Sequence, residues 1–232
     1  MTTVIIRSSH RIFQNIIIGK RFNAPSLHPR TFHLSHNQEF EVISKVICAG
    51  LPCPEYNIVQ DYPYFIQQRS YRSATFLKLT AAMNCHFNQT LEEGGRRMAS
   101  YLKGNNSREH LYSATLPFLV SMEYSSGIQT SNPWCVMSYS ANLYTPHFWG
   151  ILAAPTQFPQ AFERLPEDMQ VYVHTFDGAI ETVLLREIDL FRRNLDTIGL
   201  CYKKIKFYVA IYDVPHNPGD SRNELWFAKC KR

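Results

Sequence analysis

Residues 169–176 (MQVYVHTF) alternate apolar and polar side chains with a period of two, the pattern of a half-buried strand. Asp177-Gly178 then supplies a turn. Beyond it the period lengthens to that of a helix. Ile180, Val183, Leu184, Ile188, Phe191 and Leu195 form one apolar stripe over a helix predicted at 179–199, with Gly199 as its stop. Strands over 204–212 and 224–230 follow, joined by a Pro/Asn/Gly loop. The earlier part of the chain has the same order. A strand pair or one long bent strand is expected over 56–76, interrupted at Pro63. A helix is expected over 88–103, capped by Asn88 or Thr90 and ended by Lys103-Gly104. Strands at 111–124 and 134–144 follow, joined by a polar loop. Between the halves, residues 145–167 carry four prolines and read as a long connection. The pattern predicts an α+β fold: two strand–helix–strand–strand units whose sheets join into one curved sheet or barrel, with a helix from each half on it.

Gly94-Gly95 lies inside the first helix, where each glycine costs about 1 kcal/mol relative to alanine. Such a pair implies close approach, either by a strand or by a flat ligand.

Charge separates a leader from a body. Residues 1–38 hold five basic residues (Arg7, Arg11, Lys20, Arg21, Arg30) and no acid, so the remainder carries 19 basic against 19 acidic residues. The body is neutral, which argues against a broad nucleic-acid face. Residues 1–45 read as a basic leader, cleaved or disordered, and 46–232 as the folded domain. On a helical wheel Ile5, Ile6, Ile12, Phe13, Ile16 and Ile17 share one half, with Arg7 and Arg11 opposite. An Arg-bearing, acid-free amphipathic start is the pattern of a mitochondrial transit peptide. A cytoplasmic protein with an inert leader and a secreted protein with an export signal are the alternatives.

At 232 residues with 45% apolar and 13% aromatic content, the chain can bury a full core. No apolar run is long enough for a transmembrane helix. The six cysteines are too sparse for a disulfide scaffold. Cys85, Cys135 and Cys201 have apolar or aromatic sequence neighbours and are expected as buried free thiols, while Cys48 and Cys53 could close a small loop. Two glycosylation sequons occur, Asn88-Gln-Thr90 and Asn105-Asn-Ser107. Nucleophile-elbow, zinc-protease and phosphate-loop motifs are absent, so an enzyme is not expected. His174 alternates with Tyr172 and Phe176 and is expected to be structural. His86, His110 and His147 show no metal-site spacing.

An ordered set of segments carries a family resemblance over about residues 54–231. It comprises Tyr56-Asn-Ile, Met98-Ala-Ser-Tyr-Leu-Lys-Gly-Asn-Asn106, Ala114-Thr-Leu-Pro-Phe-Leu-Val120, Val171-Tyr-Val-His-Thr-Phe-Asp-Gly178, Tyr208-Val-Ala-Ile-Tyr212 and Arg222-Asn-Glu-Leu-Trp226. The chain thereby resembles the SOUL haem-binding protein family. The resemblance implies a distorted β-barrel of two pseudo-symmetric βαββ repeats with two helices. It also implies reversible, non-enzymatic binding of haem or another tetrapyrrole. A protein-interaction module that has kept the fold and lost haem is the alternative. The family's proposed basic anchors fall on Glu92, Ser100 and Asn217, none of them basic, and its first-strand histidine falls on Val59-Gln60-Asp61-Tyr62. The candidate site therefore rests on other residues. Gly95, Met98, Ala99 and Leu102 form a helix face for the porphyrin, and Lys103 or Arg96 supplies a cation. Tyr212 lies at the last loop, whose His216 can ligate iron.

Overall fold

The computed structural model describes residues 48, 50–83, 85–124, 132–212 and 222–230. Nine strands form one antiparallel sheet: β1 (Tyr56–Tyr62), β2 (Ile66–Tyr71), β3 (Ala74–Met83), β4 (Phe118–Tyr124), β5 (Met137–Thr145), β6 (Phe162–Leu165), β7 (Met169–Asp177), β8 (Tyr202–Ile211) and β9 (Arg222–Lys229). Helix α1 (Phe87–Leu102) lies between β3 and β4, and α2 (Ile180–Ile198) between β7 and β8. The order across the sheet is β1-β2-β7-β9-β8-β4-β5-β3-β6.

Both helices pack on one face. The alternation in β8 shows why: Phe207, Val209 and Ile211 join the helix-side core, while Tyr208 and Ala210 face the other way. On α2 the expected stripe is buried at Ile180, Leu184, Ile188, Phe191 and Leu195, each apolar side chain contributing about 1.5–3 kcal/mol. Gly199 takes the left-handed conformation at φ 76° and ends that helix as expected. The opposite face of the sheet holds a second core around Tyr71, Phe76, Tyr144 and Trp226, against which Cys48, Leu51 and Cys53 also pack.

Three expectations need correction. The sheet is not closed into a barrel: β1 and β6 are its edges and do not pair with each other. Both edge strands end at or beside proline, Pro63 and Pro166, whose nitrogens cannot donate to a further ladder. Residues 111–117 are not strand, because Pro117 has no N–H and β4 begins only at Phe118. Within the proline-rich connection, Phe162–Leu165 forms β6 on β3, and His147–Trp149 forms a 3-10 turn. The polar loop at 125–131 lies outside the described residues.

The cysteines are the third correction. They pair as Cys48–Cys53, Cys85–Cys135 and Cys201–Cys230, with no free thiol. Apolar neighbours in sequence were misleading, since Cys85 and Cys201 are exposed. Strand register brings the partners together. Tyr202 is paired with Lys229, so the residues just outside them meet, and the Cys230 amide donates to the Cys201 carbonyl at 3.1 Å.

In the glycine pair of α1, Gly94 meets a strand. A Cβ on Gly94 would lie 2.5 Å from the Ala141 Cβ of β5 and 3.0 Å from Cζ of Phe118. Gly94→Ala should therefore destabilise by about 1–3 kcal/mol, although alanine is the better helix former. Urea unfolding checks this; an unchanged or raised midpoint would contradict the packing argument.

Candidate functional site

Of the residues expected at a porphyrin face, Gly95, Met98 and Leu102 are buried, and Met98 and Leu102 belong to the helix-side core. Ala99 is half-buried and Lys103 is the exposed C-terminal cap. The connection between β5 and β6 runs along the C-terminal part of α1. Tyr101 donates its hydroxyl to the Ala153 carbonyl at 2.8 Å, and Phe158 packs into the same core. Arg96 is engaged by Glu93, with N···O distances of 2.7 and 2.8 Å. That carboxyl is lowered to about 2, first by the Arg96 hydrogen bond and then by Arg97. This helix presents little free apolar surface for a plate-like ligand.

Tyr212 belongs elsewhere, in the core on the far side of the sheet from α1. Its hydroxyl donates to Glu224 Oε2 at 3.2 Å. Burial, then the charge of Glu224, pushes its ionisation well above the ordinary tyrosine range. His216 lies outside the described residues. The sheet thus separates Tyr212 from the α1 residues. His174 packs within the core: its Nε2 is 3.1 Å from Glu187, and its ring stacks against Phe191 at 5.3 Å. Burial raises the Glu187 carboxyl, but hydrogen bonds from His174 and Arg186 outweigh it and hold it below the ordinary value.

Two clefts remain. One, of about 460 Å³, lies beside the β1–β2 turn and is lined by Tyr62, Tyr64, Phe65, Arg69, Arg222 and Asp61 among others. Its cations are committed. Arg69 is bound bidentately to buried Glu224 at 3.0 and 3.1 Å, and Arg222 approaches the same carboxylate at 3.6 Å. Asp61 adds a negative charge to the lining.

The second cleft, of about 380 Å³, is lined by His147, Ile151, Leu152, Phe162, Arg164 and Thr75 among others, with no carboxylate. Register builds it. Thr75 of β3 is paired with Thr145 of β5 on one side and Arg164 of β6 on the other. Two strand spacings, about 10 Å, therefore separate Thr145 from Arg164. Pro146 starts the 3-10 turn that carries His147, and His147 and Arg164 both line the cleft. The neighbouring acid Glu163 is held by Lys206 at 2.6 Å and Lys78 at 3.9 Å, whereas Arg164 makes no ion pair among the described residues. Exposed apolar side chains cluster in the same stretch: Phe148 is 73% exposed and Ile151 79%. Sequence reading missed this site because His147 and Arg164 are 17 positions apart in a stretch read as mere connection. The Pro-His-Phe-Trp run at 146–149, with His147 and Phe148 exposed, was the available signal.

The second cleft is thus an open, mixed apolar and polar surface with one histidine and one arginine in its lining, set on an antiparallel sheet. Residues 51–228 match the SOUL heme-binding protein family. The chain belongs to that family. No curated protein matches it at significance. Among solved structures it is similar to a hydrolase from Listeria innocua, at 13% identity over 70% of this chain and 90% of that one, TM-score 0.46. It is also similar to the C-terminal domain of EcmrR, at 10% identity over 74% and 100%, TM-score 0.48. A third is SAV2435 bound to tetraphenylphosphonium, at 13% identity over 71% and 93%, TM-score 0.40. These likenesses are distant, and no assignment is drawn from them. Among the described residues no helix is long and apolar enough to cross a membrane, and no group of three or more His, Cys, Asp or Glu side chains could hold a metal ion by itself.

Proposed function

We propose that the protein binds haem or a related tetrapyrrole reversibly, as a carrier and not as an enzyme, in the cleft of His147 and Arg164. The carrying observation is the donor set of that cleft. Family membership supplies the ligand class, and the donor set fits it. Imidazole is a common axial ligand of haem iron. A guanidinium without an ion pair suits a propionate, and Ile151, Leu152 and Phe162 offer apolar contact to the ring. The cleft is open, so a plate can enter by one edge. When bound, haem would supply its own iron chemistry; the chain's part is to hold the ring and orient it.

The accompanying view of the fold takes β3–α1–β4–β5 and β7–α2–β8–β9 as two copies of one βαββ unit. The strand order supports it: β7-β9-β8 and β4-β5-β3 are mirror arrangements meeting at the β8–β4 pair.

Hemin added to the full protein should give a saturable Soret shift. His147→Ala should change the spectrum of the bound haem, while iron-free protoporphyrin still binds that variant. Arg164→Ala should weaken both ligands about tenfold, equivalent to about 1.4 kcal/mol. Lys103→Ala and Arg222→Ala should leave binding unchanged. Absence of a saturable shift would reject the reading in favour of the protein-interaction module. A shift abolished by Arg222→Ala and not by Arg164→Ala would move the site to the other cleft.

A further inference from the structure

We propose that Asn88 and Asn105 are N-glycosylation sites, and that the protein completes its fold in an oxidising secretory compartment. Two independent observations meet here. The first is the cysteine pairing. All six cysteines are joined in three disulfides, across sequence separations of 5, 50 and 29 residues. Cys85 and Cys201 are exposed, so the thiol reductants of a cytosol would reach those bonds. A chain kept in a reducing compartment has no cause to place every cysteine within bonding distance of another. Each pair forms by transfer of two electrons and two protons to a disulfide-bearing oxidant, which the secretory route provides.

The second observation is the placement of the sequons. Asn88 is exposed in the first turn of α1, and Asn105 is exposed just after its end. One Asn105 Nδ2 hydrogen is donated to Ser100 Oγ at 2.7 Å, which leaves the second available. Glycosylation replaces that hydrogen. A bond forms from Nδ2 to C1 of a polyprenyl-diphosphate-linked oligosaccharide, the C1–O bond breaks, the diphosphate leaves with the electron pair, and the amide proton is released. At the other sequon the Thr90 hydroxyl donates to the His86 carbonyl at 2.9 Å, so transfer to Asn88 precedes folding. Neither asparagine lines either cleft. The sequons also choose among oxidising spaces, since the mitochondrial intermembrane space can support disulfides but does not transfer this oligosaccharide.

The test expresses the full chain, with a C-terminal epitope tag, in an animal cell line. The protein is expected in the medium, with an apparent mass that falls in two steps on graded amidase deglycosylation. Peptide mapping should find both asparagines converted to aspartate by that treatment. Asn88→Gln and Asn105→Gln should each remove one step. Alkylation without reductant should label no cysteine, and the intact mass should rise by six hydrogens on reduction, two for each of the three disulfides. Glycan-free protein in the cytosol or mitochondria, glycan-free protein in the medium, or alkylatable cysteines in the native protein would each overturn the proposal. Mapping on the unmodified chain decides the matter even if a variant fails to fold.

Discussion

Glu224→Ala is expected to lower the free energy of unfolding by about 3–5 kcal/mol, because it strands a buried guanidinium. Glu224 on β9 is fully buried and Arg69 on β2 is 2% exposed. The carboxylate accepts two hydrogen bonds from Arg69, one from the Tyr212 hydroxyl at 3.2 Å and one from the Trp226 indole at 2.9 Å. Arg69 also lies 4.2 Å above the ring of Tyr56. Truncating Glu224 leaves Arg69 charged without its counter-ion and leaves two neutral donors unpartnered, each a desolvation cost without return. Removing both charges is a different matter. Arg69→Met combined with Glu224→Leu replaces the pair by apolar volume, an exchange that is often neutral or stabilising. The double variant should therefore recover the part of the loss due to the stranded guanidinium, but not the part due to the Tyr212 and Trp226 donors. Urea denaturation of the two variants checks this; a loss under 1 kcal/mol for Glu224→Ala alone would refute it.

This cluster marks where sequence reading stops. The alternation in β7 and the stripe on α2 were legible because each follows from a single period, and the burial of Leu184, Ile188 and Phe191 bears out the stripe. Gly94 was legible as a point of close approach, though not which body approaches. Arg69 and Glu224 are 155 residues apart, and nothing local shows that two strands on either side of β7 put them face to face. The cysteines failed for the same reason. Their neighbours are apolar, yet it is the register of paired strands that sets Cys201 beside Cys230. Tyr212 was chosen for its family segment, and the sheet then places it opposite α1 because every second residue of β8 and its extension turns away from the helices. His147 and Arg164 were visible as residues but not as neighbours, since the pairing of β6 on β3 depends on four residues inside a proline-rich stretch.

Removal of the disulfides should rank by loop length. In the chain-entropy account, opening Cys85–Cys135 costs about 4 kcal/mol, Cys201–Cys230 about 3.5 and Cys48–Cys53 about 2. Their sequence separations are 50, 29 and 5. Paired Cys→Ala variants followed by urea unfolding test the order, and a largest loss at Cys48–Cys53 would contradict it. Cys201–Cys230 should also show a local effect that the other two lack. The β8–β9 ladder is interrupted between Tyr202 and Phe207, where five steps along β8 face only two along β9. The outer end of the hairpin is thus held by the Tyr202–Lys229 pair and the disulfide beyond it. Cys201→Ala with Cys230→Ala leaves that end on the Tyr202–Lys229 pair and the backbone hydrogen bond from residue 230 to residue 201, and its amides should open well below the global unfolding free energy. Hydrogen exchange should then show lost protection at Tyr202 and Cys230, with Phe207–Ile211 still protected by their ladders to β4 and β9. Uniform loss along the whole of β8 would show that the bridge acts only through the unfolded chain.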